Sequence, residues 1–406
     1  MLQAKLADGR LITPAAVSKK GRQELKRVNP KFYCPVCNER VILRAGEKVI
    51  AHFSHQSKSK CPSINGGEGV YHEQGKLQMY QWFKKQYIQA DLEFYIKEIK
   101  QRPDFLIEVN GKKIAIEFQC SKIPPVQMIE RTKGYKQAGI HVIWILGEKL
   151  LKRKTKNMIK IDAFTQIFIH QFSSSYPPTL YYYCPQTSKF IKIQDLYMMG
   201  NNRAVGKFET STLKNMTFTD LFSPSFLPKK ELSQIWEQEK RHFRLMTRNR
   251  LYGAELQWHQ WLYLNKLHYE TLPAIIHLPV RGAFKMNVAN WNWQSRLIFD
   301  FFTPLEEGAE FSFNQCIRFF RNNITSDDNF PLIHSDQHPI QDYLNLLTQL
   351  HYLEKTTKQA FKKIKQIHIH PHIEEAIEED RKLIQKIFTR NQTKYEHDRA
   401  IFRYTK

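Results

Sequence analysis

The sequence predicts an α/β core, and three features between Tyr71 and Leu146 predict it. YHEQGKLQMYQWFKKQYI carries apolar residues at helical spacing. RPDFLIEVNGKKIAIEFQ is two alternating runs joined by Asn110-Gly111. HVIWIL is a short unbroken apolar run that follows a second helical segment. Alternation at period 2 marks a strand with one face buried, and a period near 3.6 marks a helix. A short continuous apolar run marks a strand covered on both faces. Helix, three strands, helix and strand in that order give a mixed sheet flanked by helices.

Taken in order, residues 1–66 read as a small β-rich module. QAKLADGRLITPAAV turns at Asp8-Gly9, KFYCPVCNERVILRAGEKVIAHFSH holds two more strands around Ala45-Gly46, and the glycines from Asn65 to Gly69 read as a hinge. In the helix that follows, Leu77, Tyr80, Phe83, Lys84 and Tyr87 form the expected inward stripe. DLEFYIKEI is the next strand, then the hairpin, then a loop interrupted by Pro124-Pro125. PVQMIERTKGYKQAG is a helix ending at Gly139, HVIWIL follows, and a weaker βαβ-like continuation runs to Gln171. SSSYPP marks a boundary. Beyond it TLYYYCPQTSKFIKI reads as a hairpin and a polar linker reaches Pro228. From Lys229 onward the pattern is basic, aromatic and helical, in ELSQIWEQEKRHFRLM, AELQWHQWLYLNKL, QDYLNLLTQLHYLEKTTKQAFKKIK and EEAIEEDRKLIQKIFTR. The expected divisions are 1–66, 67–172, 173–228 and 229–406.

The chain has 406 residues, 62 Lys and Arg against 39 Asp and Glu, and a net charge of +23. With 42% hydrophobic residues it is globular, so the charge belongs to surfaces and points to a polyanion, of which nucleic acid is the commonest. No apolar run approaches the ~18 residues of a membrane helix, and MLQAKLADGR lacks a signal-peptide pattern, so a cytoplasmic setting is expected. Six cysteines in a chain of this length do not make a disulfide framework.

If Asn110-Gly111 is a two-residue turn, Val109 faces Lys112, Phe105 faces Ile116, and Asp104 faces Glu117. Like charges directly opposed on a sheet destabilise it. A hard divalent cation, Mg²⁺ or Mn²⁺, would offset the repulsion and polarise a phosphodiester; the plainer reading is an exposed sheet face. Glu117 and Gln119 are expected to share with Asp104 a face open to solvent or substrate. Glu73, early in the preceding helix, is either a third carboxylate or a solvated acid favoured by the helix dipole. Arg131 and Tyr135, one turn apart, with Lys76 and Arg102, are candidate phosphate contacts; Arg131 and Tyr135 could equally be ordinary packing residues.

Cys34-Pro-Val-Cys37 is followed by His52, His55 and Cys61. Zinc takes four thiolate or imidazole ligands in a tetrahedron, and a Cys-x-x-Cys turn places two of them. Cys34, Cys37, His55 and Cys61 are the expected set, with His52 as the substitute and a redox pair as the alternative. A module of this size has too small a core to be comfortable alone, so the role would be structural. His368, His370 and His372 read as a solvated run.

The order of these segments resembles the PD-(D/E)xK nuclease core, with Pro103-Asp104 as the PD and Glu117-Phe118-Gln119 as the (D/E)xK. HEQGK, RPDF, IAIEFQCSKIP, ERTKGY and HVIWIL together resemble the nuclease-like domain of the competence protein CoiA family. The stretch around CPVC and AHFSH resembles that family's N-terminal region. The resemblance covers roughly residues 1–172. It implies a restriction-endonuclease-like fold and a role in natural transformation, handling incoming DNA, single-stranded in the first instance, between uptake and recombination. Competence and recombination proteins would be its partners. It implies that Asp104 and Glu117 bind the metal, that Glu73 supports them and that Gln119 positions water. One departure stands out: the usual Lys is Gln119, which carries no charge. A DNA-binding adaptor that keeps the fold without cutting is the alternative that this departure favours.

Overall fold

The structure is a computed structural model, and it describes residues 1–46, 50–56, 61, 69–246 and 250–390. The chain forms two compact units, one of residues 1–152, 180–193 and 208–223, the other of 153–179, 194–207 and 224–406.

In the first unit, five short strands, β1 (Ala4–Lys5), β2 (Leu11–Ile12), β3 (Phe32–Tyr33), β4 (Arg40–Arg44) and β5 (His52–His55), form a sheet in the order β2-β1-β3-β4-β5. Phe32, Val41, Phe53 and Ala4 close its small core with Cys34 and Cys61. Between β2 and β3 lies a helix, α1 (Lys19–Val28), capped by Ser18 and ending on Asn29 with φ 44°. None of its residues is buried, so it shows no apolar stripe to read. The expected hinge falls mostly on residues outside those described.

The larger sheet of this unit is built from α2 (Val70–Lys85), β6 (Gln89–Leu92), β7 (Phe105–Val109), β8 (Lys112–Gln119), α3 (Pro125–Gln137) and β9 (His141–Gly147). Asn110 (φ 51°) and Gly111 (φ 72°) both lie in the left-handed region that a two-residue hairpin turn demands. The register runs from Val109↔Lys112 to Phe105↔Ile116 as expected. β8 then pairs β9 in parallel, with α3 as the crossover. Phe105 meets Phe83 of α2 at 5.4 Å between ring centroids, whereas Leu106 and Ala115 pack with Tyr135 of α3. Successive strand residues point to opposite faces, so α2 and α3 cover opposite sides of the sheet. The expected strand DLEFYIKEI stops at Leu92, because Glu93 turns the chain with φ 54°.

The sheet runs on past residue 172. Strand Thr179–Cys184 pairs β9 in parallel at Tyr182↔Leu146, and the portions of the next two strands that belong to this unit, residues 189–193 and 208–212, continue that sheet. The stretch expected as a separate hairpin and linker therefore supplies strands to the core; its tyrosines are buried, which local sequence alone does not disclose.

The second unit holds helices Lys229–Leu245, Gly253–Leu264, Asn290–Arg296, Phe313–Phe319, Pro339–Gln349 and Ile373–Arg390. Asp380 of the last accepts two hydrogen bonds from Arg244, at 2.6 and 2.8 Å, and lies 2.9 Å from Lys240. QDYLNLLTQLHYLEKTTKQAFKKIK is not one helix. The helix stops at Gln349, His351 adopts φ 62°, and Leu353–Lys355 and Ala360–Lys363 pair as strands beside Glu310–Ser312. Among the described residues no helix is long and apolar enough to cross a membrane.

Candidate active site and Cys/His centre

Glu117 sits on the α3 face of β8. Its Oε1 accepts hydrogen bonds from Arg131 and from the Tyr135 hydroxyl, both on α3. That face is covered, so Glu117 is 5% exposed and does not reach solvent as expected. Burial raises its carboxyl pKa above the ordinary value; Arg131 opposes the rise and the nearby Asp104 adds to it. Arg131 is held firmly protonated by Glu117, and the buried Tyr135 hydroxyl is pushed up by burial and by the same carboxylate.

Asp104 precedes β7 in a bend, one position beyond the paired ladder. Its carboxylate lies against the strand opposite, where Oδ2 accepts from the Phe118 N–H at 2.8 Å. From α2, His72 Nε2 lies 3.2 Å from the same oxygen and Lys76 Nζ 3.6 Å from Oδ1. One carboxylate is thus gripped from α2 and the other from α3, within electrostatic reach of each other. Part of the expected repulsion is already offset by cations of the chain.

Glu73 and Lys76, three residues apart on α2, share its buried face. That face continues through Met79, Tyr80 and Phe83, so the expected stripe is rotated, and Lys84 and Tyr87 are exposed. Phe118 presses on the helix at Gly75, where a Cβ would lie 2.1 Å from Phe118 Cε1. Only a residue without a side chain lets helix and strand approach that closely. Lys76 Nζ lies 2.6 Å from Glu93 Oε1, and Arg102 Nη1 lies 3.9 Å from Glu93 Oε2. Lys76, Arg102, Arg131 and Tyr135, expected to contact phosphate, instead partner buried acids or lie beside them. Gln119 also departs from its expected place: its amide donates to the Ser121 carbonyl at 2.7 Å. Glu93 belongs to the site without any local motif that marks it, brought in by the end of edge strand β6, whereas His72 lies in the HEQGK segment of α2, next to Glu73.

Three buried carboxylates, Glu93, Asp104 and Glu117, pair with Lys76, Arg102 and Arg131, and the buried Glu73 shares the inner face of α2 with Lys76. Hard oxygen donors of this kind are the ligands that a small divalent cation takes; among the described residues, the donors close enough together to share one ion are those of Cys34, Cys37, His55 and Cys61.

The second cluster lies in the β-rich module. Cys34, Cys37, His55 and Cys61 each offer an atom, and these atoms lie within 4.8 Å of one another. Cys34 Sγ and Cys61 Sγ are 3.9 Å apart, and Cys37 Sγ is 3.3 Å from His55 Nε2. A tetrahedron with Zn–S bonds of about 2.3 Å has S···S edges of about 3.8 Å, so the donor set fits zinc. The Cys-x-x-Cys turn closes with Asn38 at φ 61°, and the Val36 N–H lies 3.4 Å from Cys34 Sγ. Burial and the neighbouring thiols push Cys37 up to about 12, and burial lowers His55, favouring its neutral form. His52 is not in this cluster; its Nδ1 lies 3.9 Å from Glu73 Oε2.

Comparison with known proteins agrees with this layout. Family models described as Competence protein CoiA, N-terminal domain, nuclease-like domain and C-terminal domain match residues 16–64, 68–226 and 232–377. The nuclease-like match extends past residue 172, as the sheet does. The chain is 31% identical over 273 residues to Competence protein CoiA of Bacillus subtilis (strain 168), covering 66% of this chain and 71% of that relative. No solved structure matches the chain. With all three regions matched in order, and a relative of this identity matched over most of its length, the chain belongs to the competence protein CoiA family.

Proposed function

We propose that the chain is a metal-dependent, nuclease-like DNA-processing protein of natural competence with a PD-(D/E)xK core, acting in the cytoplasm on incoming DNA, single-stranded in the first instance, and delivering it to recombination proteins. The observation that carries the reading is the acidic cluster at the open end of the β7–β8 hairpin, in a domain of the nuclease-like type. Asp104 and Glu117 would hold Mg²⁺ or Mn²⁺, with Glu73 in support, and the bound ion would supply Lewis-acid activation of a phosphodiester. Arg131 and Tyr135 orient Glu117, while the Phe118 amide and His72 orient Asp104. Lys76 brings positive charge beside Asp104, the charge that Gln119 lacks. Cys34, Cys37, His55 and Cys61 would hold a structural zinc ion.

A second reading, a DNA-binding adaptor that does not cut, is favoured by Gln119, which is uncharged and turned to Ser121. Incubation with labelled single- and double-stranded DNA in Mg²⁺ or Mn²⁺, beside Glu117→Ala, separates the two. Metal-dependent cleavage that the variant loses supports the nuclease. Binding without cleavage, unchanged in the variant, leaves the adaptor. In either case affinity should fall steeply with salt, as phosphate contacts require.

A further inference from the structure

The nuclease-like core does not build the carboxylate site alone. Glu93 is 5% exposed and holds φ 54°, a conformation that residues with a Cβ seldom take. Such strain persists where the surroundings over-determine it. Here they do. The Glu93 N–H donates to the Asp104 carbonyl at 3.0 Å, and its Oε1 accepts from Lys76 at 2.6 Å. Lys76 in turn reaches the Asp104 carboxylate. One residue therefore grips Asp104 through its backbone and, by way of Lys76, through its side chain.

The other oxygen of Glu93 is held from the β-rich module. Oε2 accepts from the Leu2 N–H at 2.9 Å, and Met1, next to Leu2, accepts at its carbonyl from the Phe53 N–H at 2.8 Å. Phe53 lies in β5 between His52, which faces Glu73, and His55, which faces Cys37. A single four-residue strand carries one member of the Cys/His cluster and two links to the acidic site.

We propose that the Cys/His centre is coupled to the carboxylate site through β5, Met1–Leu2 and Glu93, with Glu93 as the positioning residue for Asp104. The inference rests on the reading that the centre holds zinc. A metal that fixes His55 fixes the register of β5, and with it the Leu2 amide that anchors Glu93.

The test is hydrogen exchange by mass spectrometry on the full chain, with zinc content measured first. Peptides spanning Phe53, Glu93, Phe118 and Trp144 are followed in the zinc-loaded and chelated protein and in Glu93→Ala and Glu93→Gln. Chelation and Glu93→Ala should each speed exchange at Glu93 and Phe118 at least fivefold while Trp144, in β9, keeps its rate. Glu93→Gln retains an acceptor for Leu2 but loses the charge opposite Lys76. It should restore protection at Glu93 and only part of it at Phe118. Chelation that opens Phe53 but leaves Glu93 and Phe118 unchanged overturns the coupling alone. Glu93→Ala or Glu93→Gln with wild-type exchange at Phe118 overturns the positioning role. A purified chain without zinc overturns the coupling together with the reading of the centre.

Discussion

Replacing Arg131 by Met keeps most of the side chain's volume and removes the cation that faces Glu117. The carboxylate would then be left buried beside Asp104, with only the Tyr135 hydroxyl on Oε1. Breaking a buried ion pair by deleting one partner costs about 3–5 kcal/mol. Glu117 can escape part of that cost by taking a proton, which fixes the pH dependence. Its folded pKa is already raised and rises further without Arg131. The stability this group contributes is therefore present at low pH and lost as pH rises through the folded value. The gap between wild type and Arg131→Met should be about 3–5 kcal/mol at pH 8 and shrink to about 1–2 kcal/mol at pH 5, the remainder being lost packing and hydrogen bonding. Urea unfolding at three pH values measures it. Arg131→Met combined with Glu117→Gln should recover most of the loss, because neither charge is then left unpaired. Mn²⁺ at 100 times its dissociation constant should return about 2.7 kcal/mol to the single variant if the carboxylates hold the ion. A gap under about 1 kcal/mol with no pH dependence would refute the ion pair as the organiser of this site.

Three further outcomes are expected. Gly75→Ala gains about 1 kcal/mol of helix propensity but drives a Cβ into Phe118, so it should lower stability by a net 1–2 kcal/mol or so; a stabilised variant would disprove the close approach. Cys37→Ser should lose most of about one bound zinc per chain by elemental analysis while Cys120→Ser, away from the cluster, keeps it; equal zinc in both would remove Cys37 from the centre. In the second unit, burial raises Asp342 to about 7 from an ordinary 3.8, so its contribution to stability is present below about pH 4 and is lost as pH rises through 7. Asp342→Asn escapes that loss and should overtake wild type by up to about 4 kcal/mol as pH rises from 5 to 8; parallel stability curves would show that the carboxyl pKa is not raised in the folded chain.

Much of the core was readable because its signals are local. Asn110-Gly111 demanded a two-residue turn, and the turn set the register to Phe105↔Ile116 without any distant information. Gly139, at φ 68°, ended α3 where the sequence placed its end. Cys34 and Cys37 announced themselves by spacing, and His55 and Cys61 were named from the same string. What local pattern misjudged was burial. Lys76, Arg102 and Arg131 read as basic residues for a phosphate backbone, because charge is ordinarily a surface property. In the structure they lie against acids that come from other elements. The α2 stripe was misplaced for a related reason: Glu73 and Lys76 are polar, so an apolar count passes over the face that is actually buried.

The sequence by itself determined the order of helices and strands in the core, the hairpin that opposes Asp104 to Glu117, and the candidate ligands of the Cys/His centre. Each of these depends on spacing along a few neighbouring residues. Only the tertiary structure decided that α3 covers Glu117, that Gln119 turns to Ser121, and that Glu93 joins the Leu2 amide to Lys76 and Asp104. Those contacts link residues as much as 91 positions apart, and no periodicity in the chain encodes them. They arise where sheet and helices meet, and there a charge that solvation would leave at the surface becomes the partner of another buried charge.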